Sequence, residues 1–162
     1  MIGQTSPTSA LTKFADSLKS VAARVAALER TNGSPGWVSF TPSWTNVTLG
    51  NGSASGRYKY QNDDMMVQVT LVFGSSTSFG GVVSVAIPNG VTSKGGGLRS
   101  VGALECKLGT SEISGHSRGL SASTTIEFFA ATASSSGNAV SASNPGVWAT
   151  NDVLACQIVI PL

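Results

Sequence analysis

Apolar residues follow two different periods along this chain, and the period changes near residue 34. Up to residue 33 the principal apolar positions recur at spacings of 3, 4, 3, 4 and 3, whereas from residue 37 onward apolar and polar positions alternate. The first spacing is typical of one helix face, and alternation is typical of β-strands with one buried side. The sequence therefore predicts a helical segment over residues 1–33 and a β domain over residues 34–162.

The helical segment has a recognisable start, a recognisable end and a regular apolar seam. Ser6-Pro7 suits a helix N-terminus, and Thr31-Asn32-Gly33 suits a helix C-terminus. Six apolar residues between these signals occupy the a and d positions of a heptad repeat, namely Leu11, Phe14, Leu18, Val21, Val25 and Leu28. This seam favours a parallel coiled coil, while the alanines beside it leave open a helix packed on its own domain.

The charges beside the seam favour three chains. Arg24 lies at a g position and Glu29 at the next e position, so the two would meet across a parallel helix interface. The run Arg24–Glu29 also resembles a short trimer-directing motif, Arg-apolar-x-x-apolar-Glu. Valine at a with leucine at d suits dimers as well, so a dimer is the alternative to the predicted homotrimer. The predicted interface residues are Leu11, Phe14, Leu18, Val21, Arg24, Val25, Leu28 and Glu29.

The β domain is predicted as an antiparallel, jelly-roll-like β-sandwich, so the whole chain is mainly β with a short coiled coil in front. Turn signals, Gly80-Gly81 among them, separate the alternating runs, and no helical pattern lies between the runs. The segment 134–143 is rich in serine and is predicted as a surface loop. The predicted strands lie near residues 37–40, 47–49, 56–61, 65–73, 82–87, 100–108, 123–131 and 152–160, with a weaker one near 113–120.

Charge and hydropathy exclude two classes of partner. Charged residues form only 11% of the chain, and residues 34–162 hold six cationic and six acidic side chains, so no basic face for nucleic acid is expected. No apolar run reaches the roughly 20 residues that span a bilayer, and the N-terminus lacks a secretory signal pattern. The sequence predicts no membrane insertion and synthesis in the cytoplasm.

The residue types that could support catalysis or bind a metal do not form a known pattern. His116, the only histidine, is expected in an exposed loop or edge strand, and Asp63-Asp64 in a solvated turn. Cys106 and Cys156 are expected on inward strand faces as buried, inert thiols, with a disulfide between them left open. We predict no catalytic residue, no cofactor and no metal site.

Five aromatic residues have two possible roles. They could stack on the sugars of a host cell-wall polysaccharide, or they could pack between sheets or subunits, which we favour. These residues are Trp37, Trp44, Tyr58, Tyr60 and Trp148.

Several motifs of the β domain resemble a domain found in minor tail and fibre-like proteins of bacteriophages that infect actinobacteria. The resemblance covers most of residues 37–162, and the motifs that carry it are Trp37–Thr45, Gly50-Asn51-Gly52, Gly56-Arg57-Tyr58, Val67–Gly80 and Asn144–Asp152. It implies a trimeric appendage on the virion surface with a β-sandwich head, as part of a tail tip or tail fibre, for which host attachment is the expected role. The short chain raises one alternative, a capsid-decorating or head fibre that stabilises or decorates the shell, and a lectin-like module is a further alternative. The N-terminus would contact other virion proteins; the receptor-binding residues stay unassigned.

Overall fold

The computed structural model of the chain describes residues 12–13, 15–21, 24, 36–94, 100–120, 122–132 and 135–162. Residues 12–13, 15–21 and 24 are helical, and the described chain from residue 36 onward is mainly β. In the part of the chain covered by these ranges, no helix has the length and apolar character that crossing a bilayer requires. The predicted helix ends at Ser6-Pro7 and Thr31–Gly33, and the boundary at residue 34, lie outside the described residues.

The described residues of the β domain form ten strands, with a short 3₁₀ turn at Pro88–Gly90. The strands are β1 Val38–Phe40, β2 Trp44–Thr48, β3 Ser53–Gln61, β4 Asp64–Val72, β5 Ser78–Ala86, β6 Ser100–Leu108, β7 Ser111–Gly119, β8 Thr125–Thr132, β9 Ser135–Ala139 and β10 Val153–Pro161.

All strand pairs in the described part of the chain are antiparallel and belong to one continuous sheet. Its order is β1-β3-β4-β10-β6-β7-β8-β5-β2, and β9 adds to β8. The strands at the two ends of this order, β1 and β2, are separated along the chain by residues 41–43 alone. That link spans at most about 14 Å, so the two sheet edges approach each other and the sheet curls into a half-barrel.

The concave side of the curled sheet encloses the core. Along β4 the side chains of Met65, Val67, Val69 and Leu71 are fully buried, and the residues between them are partly exposed. Strands β5, β6, β8 and β10 contribute to the same cluster of buried residues. Burial of each large apolar side chain stabilises the fold by about 1.5–3 kcal/mol, so alternation along each strand determines which face points inward.

A glycine in β6, Gly102, allows β10 and β7 to approach this strand closely. A Cβ on Gly102 would overlap the carbonyl oxygen of Gln157 on β10 and crowd the hydroxyl of Ser117 on β7. No larger residue fits there without moving backbone. The close packing of β10, β6 and β7 around residue 102 therefore requires the missing side chain.

The structure confirms the mainly β, antiparallel prediction and corrects three details. The strands form one curled sheet instead of the two sheets of a jelly-roll sandwich. Gly80-Gly81, predicted as a turn, lies inside β5, because β5 pairs with β2 on one side and with β8 on the other. Residues 135–139, predicted as part of a loop, form β9, because their backbone completes the hydrogen bonds of β8.

Candidate functional site

The β domain has two different ends, which can be followed along β3. The turn 49–52 precedes β3 and lies with the turns 74–77 and 109–110 and the segment 141–152 at what we term the loop end. Trp37 contacts Lys59, six residues beyond Ser53, and the turn at Asn62-Asp63 follows. With a rise of about 3.3 Å per residue, Trp37 is about 20 Å from the loop end.

Two turns at the loop end are joined by reciprocal hydrogen bonds. The backbone N–H of Asn51 donates to Ser76 Oγ at 3.0 Å, and the backbone N–H of Ser76 donates to Asn51 Oδ1 at 2.9 Å. Thr77 Oγ1 donates to the carbonyl oxygen of Leu49 at 2.5 Å. Gly50 has a φ of +55°, a conformation that glycine adopts without strain. The motif at residues 50–52 is therefore structural.

A buried carboxylate and an aromatic cluster hold the segment 141–152. Asp152 accepts the backbone N–H of Gly109 at 2.7 Å through Oδ1 and that of Ala149 at 2.6 Å through Oδ2. The ring of Trp148 stacks on Phe73 with centroids 4.8 Å apart and meets Phe79 edge-on at 5.1 Å. Beside this anchored ring the side chain of Val147 is 85% exposed. The loop end thus presents the exposed, apolar side chain of Val147 next to the packed ring of Trp148.

Four of the five predicted aromatic residues pack inside the domain. Trp44 contacts Phe128 at 5.8 Å, and the buried Tyr58 contacts Tyr60 at 5.7 Å. With Trp148, these residues have the packing role that the sequence favoured, within one chain. The fifth residue, Trp37, is half-buried at the surface.

Trp37 lies beneath two cations on the outer side of β3. The guanidinium carbon of Arg57 is 4.7 Å from the Trp37 ring centroid, and Lys59 Nζ is 5.2 Å from it. Such contacts contribute about 0.5–1 kcal/mol each at exposed sites. The ring is therefore already engaged on its own chain.

The predicted coiled-coil seam is only partly within the described residues. Leu18 and Val21 are helical and each 54% exposed, and Arg24 is helical and exposed. The other predicted interface residues, Leu11, Phe14, Val25, Leu28 and Glu29, lie outside the described residues. Helical conformation is confirmed for the part that the structure describes, and the coiled coil and the trimer stay predictions.

His116 does not occupy the exposed loop or edge strand that the sequence suggested. It lies on β7, an inner strand, and its ring stacks on Phe129 with centroids 5.2 Å apart. Arg118 covers Phe129 at 4.1 Å and pairs with Glu127 at 3.0 Å. The weaker strand expected near residues 113–120 corresponds to β7. The sequence did not show that β7 pairs with β6 on one side and β8 on the other, which makes it an inner strand.

Both cysteines are buried and free, as predicted. Burial raises the pKa of the Cys106 thiol from 9.0 to about 12, and the charge of Glu105 adds to the effect. Burial also raises the pKa of the Cys156 thiol to about 11, and the neighbouring Ser117 hydroxyl offsets part of that rise. Both thiols therefore stay protonated at neutral pH and react poorly. In the described ranges, no three metal-binding side chains come together.

Asp63 and Asp64 belong to the hairpin between β3 and β4, as expected for a solvated turn. Asn62 and Asp63 form its two central residues, and Asp64 pairs with Gln61. Asn62 has a φ of +55°, which asparagine tolerates in tight hairpins.

Sequence reasoning missed a polar row on the outer face of the sheet. Arg57 Nε donates to Gln68 Oε1 at 2.6 Å, and Gln68 Nε2 donates in turn to Gln157 Oε1. Each residue alternates with core residues on its own strand, a signal that shows it faces outward. Their contact depends on the register of β3, β4 and β10, which the sequence does not display.

No family model, curated protein or solved structure matches this chain. The resemblance to actinobacteriophage minor tail and fibre-like proteins therefore stays an expectation based on the quoted motifs.

Proposed function

We propose that this protein is a non-enzymatic, homotrimeric appendage of a bacteriophage virion that attaches the particle to its host. In this proposal the N-terminal segment binds other virion proteins, the helices assemble as a parallel coiled coil, and the β domain is displayed at the virion surface. The observation that carries the proposal is the polarity of the β domain: Trp37 and the locked loops lie at different ends of β3.

Three of the five motifs behind the resemblance contribute to the loop end. Residues 50–52 bond to residues 75–76, and Trp148, from the motif Asn144–Asp152, packs on Phe73 and Phe79. A surface held in one conformation loses little entropy when it binds a partner. This supports a role in recognition at the end of the domain away from Trp37.

The helical residues support assembly. Leu18 and Val21 lie at successive a and d positions and are 54% exposed in the single chain. Association through this seam would remove both side chains from water, a gain of about 25 cal/mol per Å² of apolar surface. Such a short helix is marginal by itself, so parallel association would also stabilise the helical conformation.

Light scattering tests the assembly. We expect a mass of three chains for the full-length protein at micromolar concentration. Leu18→Asp should lower the mass, because it places a charge in the apolar seam of every chain. Ser20→Asp, which introduces the same residue at an exposed position outside the seam, should leave three chains. A monomeric wild type would reject the assembly, and a dimer would reject only the trimer.

Deletion of the gene tests the role in the virion. Loss of host adsorption by intact particles is the expected result. Normal adsorption by particles with fragile or bare capsids would instead support the decorating fibre, and particles that never contained the protein would exclude both. Binding of free protein to host cell wall, without any place in the particle, would favour the lectin-like module.

A further inference from the structure

The outer face of the sheet carries a shallow trough across β4, β10, β6 and β7. Its volume is about 560 Å³, within the range of small-ligand sites. The trough exists because Ala155 and Ala103 contribute short side chains at its floor. Gln68 and Gln157 form one side, and Glu105 and Ser114 lie on the other strands of the lining.

Arg57 determines the orientation of the two glutamine amides. A guanidinium group can only donate, so Arg57 requires the oxygen of Gln68 to face it at 2.6 Å. Gln68 Nε2 then donates to Gln157 Oε1, which leaves Gln157 Nε2 as a donor beside the trough. Within the described chain, Gln157 Nε2 itself donates no hydrogen bond. The donor is held in position before any ligand binds.

Acceptors lie on the neighbouring strands of the same trough. Glu105 on β6 and Glu112 on β7 are exposed carboxylates, and neither forms an ion pair with a residue that the structure describes. Ser114, exposed on β7, is the cross-strand partner of Glu105. An oriented amide donor thus shares the trough with unpaired carboxylate acceptors, above a floor of methyl groups.

We propose that this trough binds a neutral, hydroxyl-rich oligosaccharide. A sugar hydroxyl can accept from Gln157 Nε2 while a neighbouring hydroxyl donates to Glu105, and the C–H face of the ring packs on Ala103 and Ala155. Anionic ligands are disfavoured, because the described residues that line the trough include two carboxylates and no cationic side chain. The inference does not depend on trimerisation, and it places a ligand on the sheet face, away from the loop end.

Calorimetry on the full-length protein tests the inference. The probes are neutral hexasaccharides of glucose, mannose, galactose and N-acetylglucosamine, with the hexamer of galacturonate as the anionic comparison. At least one neutral hexamer should bind with a dissociation constant on the order of 1 mM or tighter, one per chain. The galacturonate hexamer should bind at least about tenfold more weakly. No binding of any neutral hexamer, or equal binding of the anionic one, would overturn the proposal.

Two matched pairs of variants locate the site. Ala103→Leu fills the floor, and Gln157→Ala removes the oriented donor; each should weaken binding at least about tenfold. Val101→Leu, on the outer face of the same strand, and Gln61→Ala, an exposed glutamine outside the trough, should bind as the wild type does. Wild-type affinity in Ala103→Leu would overturn the assignment. Leu18→Asp should still bind one oligosaccharide per chain. The binding result can therefore be interpreted even if the trimer prediction is wrong.

Discussion

The carboxylate of Asp152 accepts the backbone N–H of Gly109 at 2.7 Å, although 43 positions separate the two residues in the chain. The second oxygen of Asp152 accepts the N–H of Ala149 at 2.6 Å, and the residue is 2% exposed. One buried side chain therefore joins the turn between β6 and β7 to the segment that leads into β10. Charge-assisted bonds of this kind are stronger than neutral ones.

Asp152→Asn should lower the free energy of unfolding by about 2 kcal/mol, because an amide can accept only one of the two N–H groups and turns its own donor toward the other. Urea unfolding followed by tryptophan fluorescence measures the change. Asp63→Asn, at an exposed turn position, should change stability by less than about 0.5 kcal/mol. Equal effects of the two variants would contradict the bridging role of Asp152.

Gly50→Ala should destabilise the domain by about 1–3 kcal/mol. The residue has a φ of +55°, and an added Cβ would overlap the side chain and backbone of Ser76. Gly80→Ala is the matched control, since nothing lies within 4 Å of its Cβ position, and it should be neutral or slightly stabilising. Thermal unfolding of both variants makes the comparison; a neutral Gly50→Ala would show that the two turns are not locked together.

Trp148→Ala should lower the free energy of unfolding by about 3 kcal/mol. This value is at the lower end of the range for replacing a buried aromatic residue by alanine, because the Trp148 ring is only half-buried. The variant loses the stack on Phe73 and the hydrogen bond from Nε1 to the Ser141 carbonyl oxygen at 3.0 Å. Trp37→Ala should cost less than about 1 kcal/mol, since it loses mainly surface contacts with Arg57 and Lys59. Denaturant unfolding measures the loss of stability in both variants. A larger loss in Trp37→Ala than in Trp148→Ala would contradict this prediction.

Because both thiols are buried, we expect the free energy of unfolding to fall at alkaline pH. Their pKa values rise from 9.0 in the unfolded chain to about 12 for Cys106 and about 11 for Cys156 in the folded chain. Between pH 9 and pH 11 the unfolded chain releases these protons while the folded chain retains them, so the free energy of unfolding falls as pH rises. Each thiol contributes up to about 1.4 kcal/mol per pH unit to this slope.

Cys106→Ala checks this pH dependence by urea unfolding at intervals between pH 7 and pH 11. The variant should be less stable at neutral pH, because it leaves a small cavity in the core. Its alkaline slope should be shallower than that of the wild type by about 1.4 kcal/mol per pH unit. Parallel slopes for the two proteins would mean that the Cys106 thiol titrates normally in the folded state.

Local sequence pattern was sufficient for most strands of this domain. Alternation along residues 65–73 predicted β4 within one residue at either end, because burial of one face leaves its period in the sequence of any such strand. The hairpin at Asn62-Asp63 followed from its turn residues. The heptad seam predicted helical residues before the β domain, and residues 12–13, 15–21 and 24 are helical.

Other features depend on residues far apart in the chain, and tertiary structure alone decided them. Residues 135–139 lack an apolar alternation and became β9 only through pairing with β8. The trough requires Gln68, Ala103 and Gln157 to share one row, which the pairing of β10 with both β4 and β6 sets. The sequence placed Asp152 at the start of the predicted strand 152–160, and only the tertiary structure brings the Gly109 N–H to its carboxylate. A strand's period records which face it buries, but not which strand lies next to it, because register is settled by contacts between distant segments.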